Sequence, residues 1–299
     1  MKTPALTLLA IALMLAAIFP RPSAVAAKED EIPAEIKKVA AALNWQTGEV
    51  DLNSGLAHVT VPESMHFLGA KDAKVLLETL WGNPPGSDVL GLLAPKDIGP
   101  LDERAWAVVI TYEDDGHVKD DDASKINYDD LLKDMKESTA AGNEQRKKAG
   151  YPAIELVGWA APPRYDSTAK KLYWAKELKF EGGTEHTLNY GIRVLGKQGV
   201  LVLNAVAGMA QLKDVEAATP TILAAVDFKT GNRYADFNPS TDKVATYGLA
   251  GLITGGVLAK TGLLAKFGIL FAKFFKVILF GGAALVAVIV KLAGKKRQA

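Results

Sequence analysis

The twenty-one residues from Phe274 to Gly294, FFKVILFGGAALVAVIVKLAG, constrain this chain more than any other stretch, and no charge falls between Val277 and Val290. At ~1.5 Å per residue a helix of this length matches the ~30 Å hydrocarbon core of a bilayer. Lys276 and Lys291 stand where long side chains reach the two interfaces. The sequence therefore predicts a transmembrane helix over 274–294, followed by a basic tail, 295–299, with Lys295, Lys296 and Arg297.

The N-terminus carries the complementary signal. Met1-Lys2 is a short basic region, Ala5 to Phe19 is apolar apart from Thr7, and Pro20-Arg21-Pro22 breaks the helix. Small residues follow at Ser23 to Ala27, so residues 1–27 read as a signal peptide cleaved after Ala26 or Ala27. Cleavage and one C-terminal crossing put the body outside the cytoplasm and the basic tail inside, as the positive-inside rule favours. A hairpin with Tyr247 to Leu270 as a first span is the alternative, because Lys260, Lys266, Lys273 and Lys276 also precede the anchor. At ~100° per residue, Lys266, Lys273, Lys276 and Lys291 fall within about 80° of one another on a continuous helix. Residues 247–273 thus read as an apolar, Gly- and Lys-containing membrane-proximal segment, and 238–246 as its polar linker.

Between these ends, residues 28–237 form the exported body. It lacks cysteine, and a body of this size needs no disulfides. A net charge of +1 gives no field for nucleic acid. Gly48 to Leu52 and Leu56 to Val61 alternate around Asn53-Ser54-Gly55, a hairpin signature. Met65 to Gly69 predicts a strand, Ala70 to Leu80 a helix, Val89 to Leu93 and Ala105 to Tyr112 strands. Asn127 is placed to cap the longest helix of the body, with Asp129 and Asp130 in its first turn. Ala153 to Ala161 predicts a strand stopping at Pro162-Pro163. Lys171 to Phe180, Thr187 to Leu195 and Gly199 to Ala207 predict a meander, and Gln211 to Ala225 a helix broken at Pro220. Setting Leu172, Trp174, Leu178 and Phe180 on one face with Leu188, Tyr190, Ile192 and Val194 places Leu178 opposite Leu188 and requires a five-residue loop, Glu181 to Glu185. The fold class expected is α+β, mainly an antiparallel sheet packed with helices.

Two groups of residues are candidate sites. Asp114, Asp115, Asp120, Asp121 and Asp122 could offer oxygen ligands to Ca²⁺, with Asp120, Asp121 and Asp122 the closest set, but the spacing is not that of an EF-hand; a solvated loop is the plainer reading. The expected register also places Glu177, Asn189, Arg193 and Asn204 on one face, where an Arg with two amides suits a carboxylate, phosphate or peptide backbone. The plainer reading there is a Glu177–Arg193 salt bridge under a helix. No cofactor signature is present, and His58, His66, His117 and His186 lie in different elements. Neither a Gly-x-Ser-x-Gly elbow nor a phosphate-binding glycine loop occurs, so catalytic residues are not assigned.

Several segments taken together carry a family resemblance: Trp81-Gly82-Asn83-Pro84, Tyr112 to Asp120 (YEDDGHVKD), Tyr173-Trp174-Ala175, Leu188 to Gly196 (LNYGIRVLG) and Gly231 to Phe237 (GNRYADF). With the Gly-rich apolar tail, the chain resembles the bacterial membrane-anchored family called domain of unknown function 2167, from about Trp45 onwards. The resemblance implies an envelope protein with a cleaved signal, an exported domain and a C-terminal anchor in the inner membrane; it carries over no catalytic residue. The strand order of the last third also resembles the Mog1/PsbP-like sandwich, a fold of binding and assembly factors. The expected role is a non-catalytic binding or assembly module for envelope proteins or peptides, with no nucleic-acid partner. The alternatives are an envelope hydrolase or ligand-dependent enzyme with a site assembled across the fold, and a membrane-remodelling or sensing protein acting through its C-terminal tail.

Overall fold

A computed structural model of the chain describes residues 32–83, 88–148 and 151–255. The expected signal peptide (1–27), most of the expected membrane-proximal segment, the expected transmembrane helix (274–294) and the tail (295–299) lie outside the described residues, as does Gly150. Among the described residues no helix is long and apolar enough to cross a membrane.

The first third follows the local signals. Helix α1 (Ala34–Ala41) leads into β1 (Trp45–Gln46), and β2 (Gly48–Leu52) pairs with β3 (Ala57–Val61). Their turn is left-handed throughout, with φ of 46°, 55° and 90° at Asn53, Ser54 and Gly55, a conformation Asn and Gly adopt at low cost. Strand β4 (Met65–Gly69) runs into α2 (Ala70–Lys74), whose last turn widens over Val75–Leu80 and buries Leu76, Leu77 and Leu80. Strands β5 (Val89–Pro95) and β6 (Ala107–Glu113) follow. Helix α3 (Tyr128–Lys148) starts on Asn127, whose Oδ1 accepts from the backbone N–H of Asp129 (3.1 Å) and Asp130 (3.3 Å).

The rest is β7 (Ile154–Asp166), β8 (Lys171–Phe180), β9 (His186–Leu195), β10 (Val200–Gly208), α4 (Leu212–Ala225), β11 (Val226–Phe228) and α5 (Leu249–Thr254). Among the described residues, one antiparallel sheet has the order β1-β4-β5-β6-β10-β9-β8-β7, and a smaller one the order β11-β3-β2. The small sheet and α4 cover one face of the large sheet, through Val59, Phe228, Val215 and Ile222 against Ile110, Leu188, Tyr190 and Leu203. The other face is covered in two places. Helices α1 and α2 pack on β4 to β6, while α3 and α5 pack on β7 to β10. The architecture is therefore α+β in three layers, with the large sheet in the middle.

That double coverage overturns the expected register. The loop between β8 and β9 is five residues, Glu181 to Glu185, but Leu178 lies opposite Thr187, and Leu188 opposite Glu177. The two apolar sets do not share a face. Leu172 and Trp174 face α3 and α5, whereas Leu188, Tyr190, Ile192 and Val194 face α4 and the small sheet. A strand that buries both faces carries apolar residues on each, so alternation no longer picks the register.

Two proline expectations are also corrected. Strand β7 runs through Pro162-Pro163 to Asp166, with register shifts between Leu156 and Arg164. It is an edge strand, so a missing N–H removes no rung on the open side. Helix α4 runs unbroken through Pro220, which is exposed on it.

Lys171, at the start of β8, caps the far end of α4. Only 6% exposed, its ammonium donates to the carbonyls of Leu223 (2.6 Å) and Val226 (3.0 Å) in the partial negative field of the helix C-terminus. Burial lowers its pKa, partly offset by Asp227 and Asp166. Lys171→Met keeps the stem but leaves two buried carbonyls without a donor, so a loss of about 1–3 kcal/mol is expected in denaturant unfolding; no loss would show that water replaces the ammonium.

Candidate functional site

The acidic run is no bare loop: its carboxylates hold the last described segment of the chain against the body. Asp120 Oδ2 accepts from the Tyr165 hydroxyl (2.6 Å) and the Lys170 ammonium (2.7 Å), and Oδ1 from the Tyr234 hydroxyl (3.0 Å). Lys170 also lies 4.7 Å from the centre of the Tyr234 ring. The Tyr247 hydroxyl donates to Asp115. Asp122 accepts from the backbone N–H of Leu249 (3.1 Å) and Ala250 (3.3 Å), the first turn of α5. The His117 N–H donates to the Lys243 carbonyl (2.8 Å) and the Ala245 N–H to the His117 carbonyl (2.9 Å). The His117 ring stacks on Phe237 at 3.9 Å.

This arrangement sets the local titration. Burial raises the pKa of Asp120, but hydrogen bonds from Lys170, Tyr165 and Tyr234 outweigh it and hold the carboxyl below the usual range. Burial, and then Asp120, raise Tyr165 and Tyr234. Burial lowers His117, partly offset by the carbonyls of Gly196 and Lys197.

The candidate metal residues are thereby given separate work. Asp120 serves two tyrosines and a lysine, Asp122 serves two backbone amides, and Asp121 is exposed. Among the described residues no three or more His, Asp or Glu side chains group as a metal centre. The stretch expected as a linker, 238–246, is tied down through His117 and through Asp242, which accepts from Asn238 and Gln198. Beyond it, Leu249, Leu252 and Ile253 of α5 are buried against Val118, Leu172 and Trp174. The helix ends at Gly255, left-handed at φ 95°.

The second candidate, the face of Glu177, Asn189, Arg193 and Asn204, is rebuilt by the register shift. Asn204 and Trp174 both lie opposite Gly191, one on each side, and Asn189 lies opposite Lys176 and Val206. Asn189, Arg193 and Asn204 therefore share the helix-covered face, joined by Lys176 in place of Glu177. Arg193 Nη1 donates to Asn204 Oδ1 (3.3 Å) and to the Ile192 carbonyl (2.9 Å), and its guanidinium carbon is 4.9 Å from the centre of the Trp174 ring. A Cβ on Gly191 would meet that indole at 3.0 Å, so glycine makes room for the stack. Glu177 points to the opposite face and pairs with His186 at 2.5 Å, which replaces the expected salt bridge to Arg193. This strip lies between the apolar patch under α1 and α2 (Ala107, Val109) and that under α3 and α5 (Trp174, Leu178).

Burial lowers Arg193 to about 10, offset in part by Glu113 and Tyr247. Burial, then the charge of Arg193, lowers Lys176 to about 8. Burial raises Glu113, against the pull of Arg193. Lys176 was not among the residues picked out from sequence; only the observed pairing opposite Asn189 brings it to the strip.

Three of the segments that carried the resemblance converge here. The Tyr112–Asp120 and Gly231–Phe237 segments meet at Asp120 and Tyr234, and Gly196 bridges to Arg233. Fold and sites together define a layered α+β domain with a clasped C-terminal segment and a cationic strip on its central sheet. The chain belongs to the family described as protein of unknown function (DUF2167), whose model matches residues 44–283. No curated protein matches it. Among solved structures, the solution structure of cyanobacterial PsbP (CyanoP) from Synechocystis sp. PCC 6803 is similar at a TM-score of 0.34 and 9% identity, covering 63% of this chain and 94% of that one. The Ran-binding protein Mog1p of Saccharomyces cerevisiae is similar at 0.34 and 8%, covering 62% and 96%.

Proposed function

We propose that this protein is a non-catalytic binding or assembly module of the bacterial envelope, exported by a cleaved signal and anchored in the inner membrane by residues 274–294. Its ligands are envelope proteins or peptides. The observation that carries this reading is the clasp: the chain is fastened to the body as far as Gly255, nineteen residues before Phe274. An anchor that follows so firmly held a segment keeps the cationic strip near the bilayer. Confinement at a membrane then raises the effective concentration of the strip near membrane partners, so weak contacts suffice.

The chain has no cysteine, which permits a direct test. Ser240→Cys, at an exposed position of the body, is expected to react with a membrane-impermeant maleimide in spheroplasts, and Arg297→Cys only after lysis. The protein is expected to stay in the membrane pellet in alkaline carbonate. Protection of the Ser240→Cys thiol until lysis, or release by carbonate, would overturn the topology.

A further inference from the structure

We propose that the strip formed by Lys176, Asn189, Arg193 and Asn204 is an oxyanion site, taking a carboxylate or phosphate group carried by the protein or peptide that the domain binds. This deepens the binding reading above and rests on it. The argument is one of donors without acceptors. Arg193 spends Nη1 on Asn204 and on its own strand, and among the described residues its Nε and Nη2 have no protein acceptor. Asn189 is 2% exposed, and its amide nitrogen, Nδ2, is likewise without a partner among the described residues. A buried unpaired amide costs about 1–3 kcal/mol, which a bound acceptor would recover.

Charge points the same way. Lys176 lies directly opposite Asn189 on the neighbouring strand, and Arg193 is on the same face of β9, so two half-buried cations share the face that carries the orphan amide. Among the described residues no carboxylate lies within ion-pair distance of Arg193; Glu113 acts on it only at longer range. Burial lowers the pKa of Lys176 and of Arg193, as it does for positive charge drawn partly out of water. A carboxylate or phosphate offers paired oxygens to the guanidinium edge and the amide and offsets that charge. Trp174, packed beneath Arg193, keeps the guanidinium plane in place before the ligand arrives.

The test uses the full chain in detergent micelles, titrated with sodium acetate and with inorganic phosphate at constant ionic strength and followed by isothermal titration and thermal melting. Saturable binding of at least one anion is expected, and the tighter of the two names the group that the site takes. Arg193→Gln is expected to weaken it at least tenfold, and Asn204→Ala, which frees the guanidinium, several-fold with the fold kept. Lys229→Gln, on an exposed ion pair with Asp51 away from the strip, is expected to leave it unchanged. No saturable binding of either anion, or an equal loss in Lys229→Gln, would overturn the site. If Arg193→Gln does not fold, unaltered binding in Asn204→Ala does so instead. Maleimide labelling of Ser240→Cys would still stand in that event, which separates failure of this site from failure of the envelope reading.

Discussion

Replacing Leu249 and Ile253 together by alanine is expected to cost the body roughly 5 kcal/mol, since each large-to-small change in a packed core costs about 2–5 kcal/mol. Both side chains are buried, at 0% and 2% exposure, against Val118, Leu172 and Trp174. Against a typical stability of ~5–15 kcal/mol this is a large fraction. The double variant is expected to unfold at much lower denaturant and to lose amide protection over residues 238–255. A loss under about 1 kcal/mol would show that α5 rests on the surface and that the core closes without it.

The second large effect is expected at Asp120. Asp120→Ala removes the acceptor of three hydrogen bonds, one from an ammonium, and strands Lys170 beside two tyrosine hydroxyls. Bonds to charged groups contribute about 1.5–3 kcal/mol each. Since the carboxylate is 23% exposed and water replaces part of them, the expected loss is about 2–4 kcal/mol. Asp121→Ala, on the exposed neighbour, is expected to change stability by no more than about 0.5 kcal/mol. Equal losses at Asp120, Asp121 and Asp122, with stabilisation by added Ca²⁺, would restore the metal reading.

The pH dependence has a definite sign. The carboxyl of Asp120 is held below its ordinary range in the folded state, so the unfolded chain binds its proton more readily. The stabilisation is complete above the unfolded pKa, ~3.9, and is lost as pH falls through the lower folded value. The difference in unfolding free energy between the wild type and Asp120→Asn is therefore expected to be flat above about pH 5 and to shrink below about pH 4. A difference that grows on acidification would refute the assignment.

Local signals in this chain are reliable where they act over short range. The Asn53-Ser54-Gly55 turn, the Asn127 cap and the buried leucines of α2 were all legible, because each is settled by neighbours in sequence. Arg193, Asn189 and Asn204 were legible as one face because β9 and β10 kept the expected alternation. Glu177 was misplaced, and Lys176 missed, because apolar residues line both faces of β8. The clasp left no readable mark. Asp120 joins Tyr165, Lys170 and Tyr234, partners between 45 and 114 residues away along the chain.

By itself the sequence determined the α+β character and most of the strands and helices of the body. These depend on periodicity, capping and hydrophobic run length, which are properties of contiguous residues. Tertiary structure alone decided the one-residue register of β8 on β9, the burial of α5, and the conversion of an acidic loop into a fastening. Each of those turns on which surfaces meet across the fold, and a sheet buried on both sides removes the polar–apolar contrast that would have announced it.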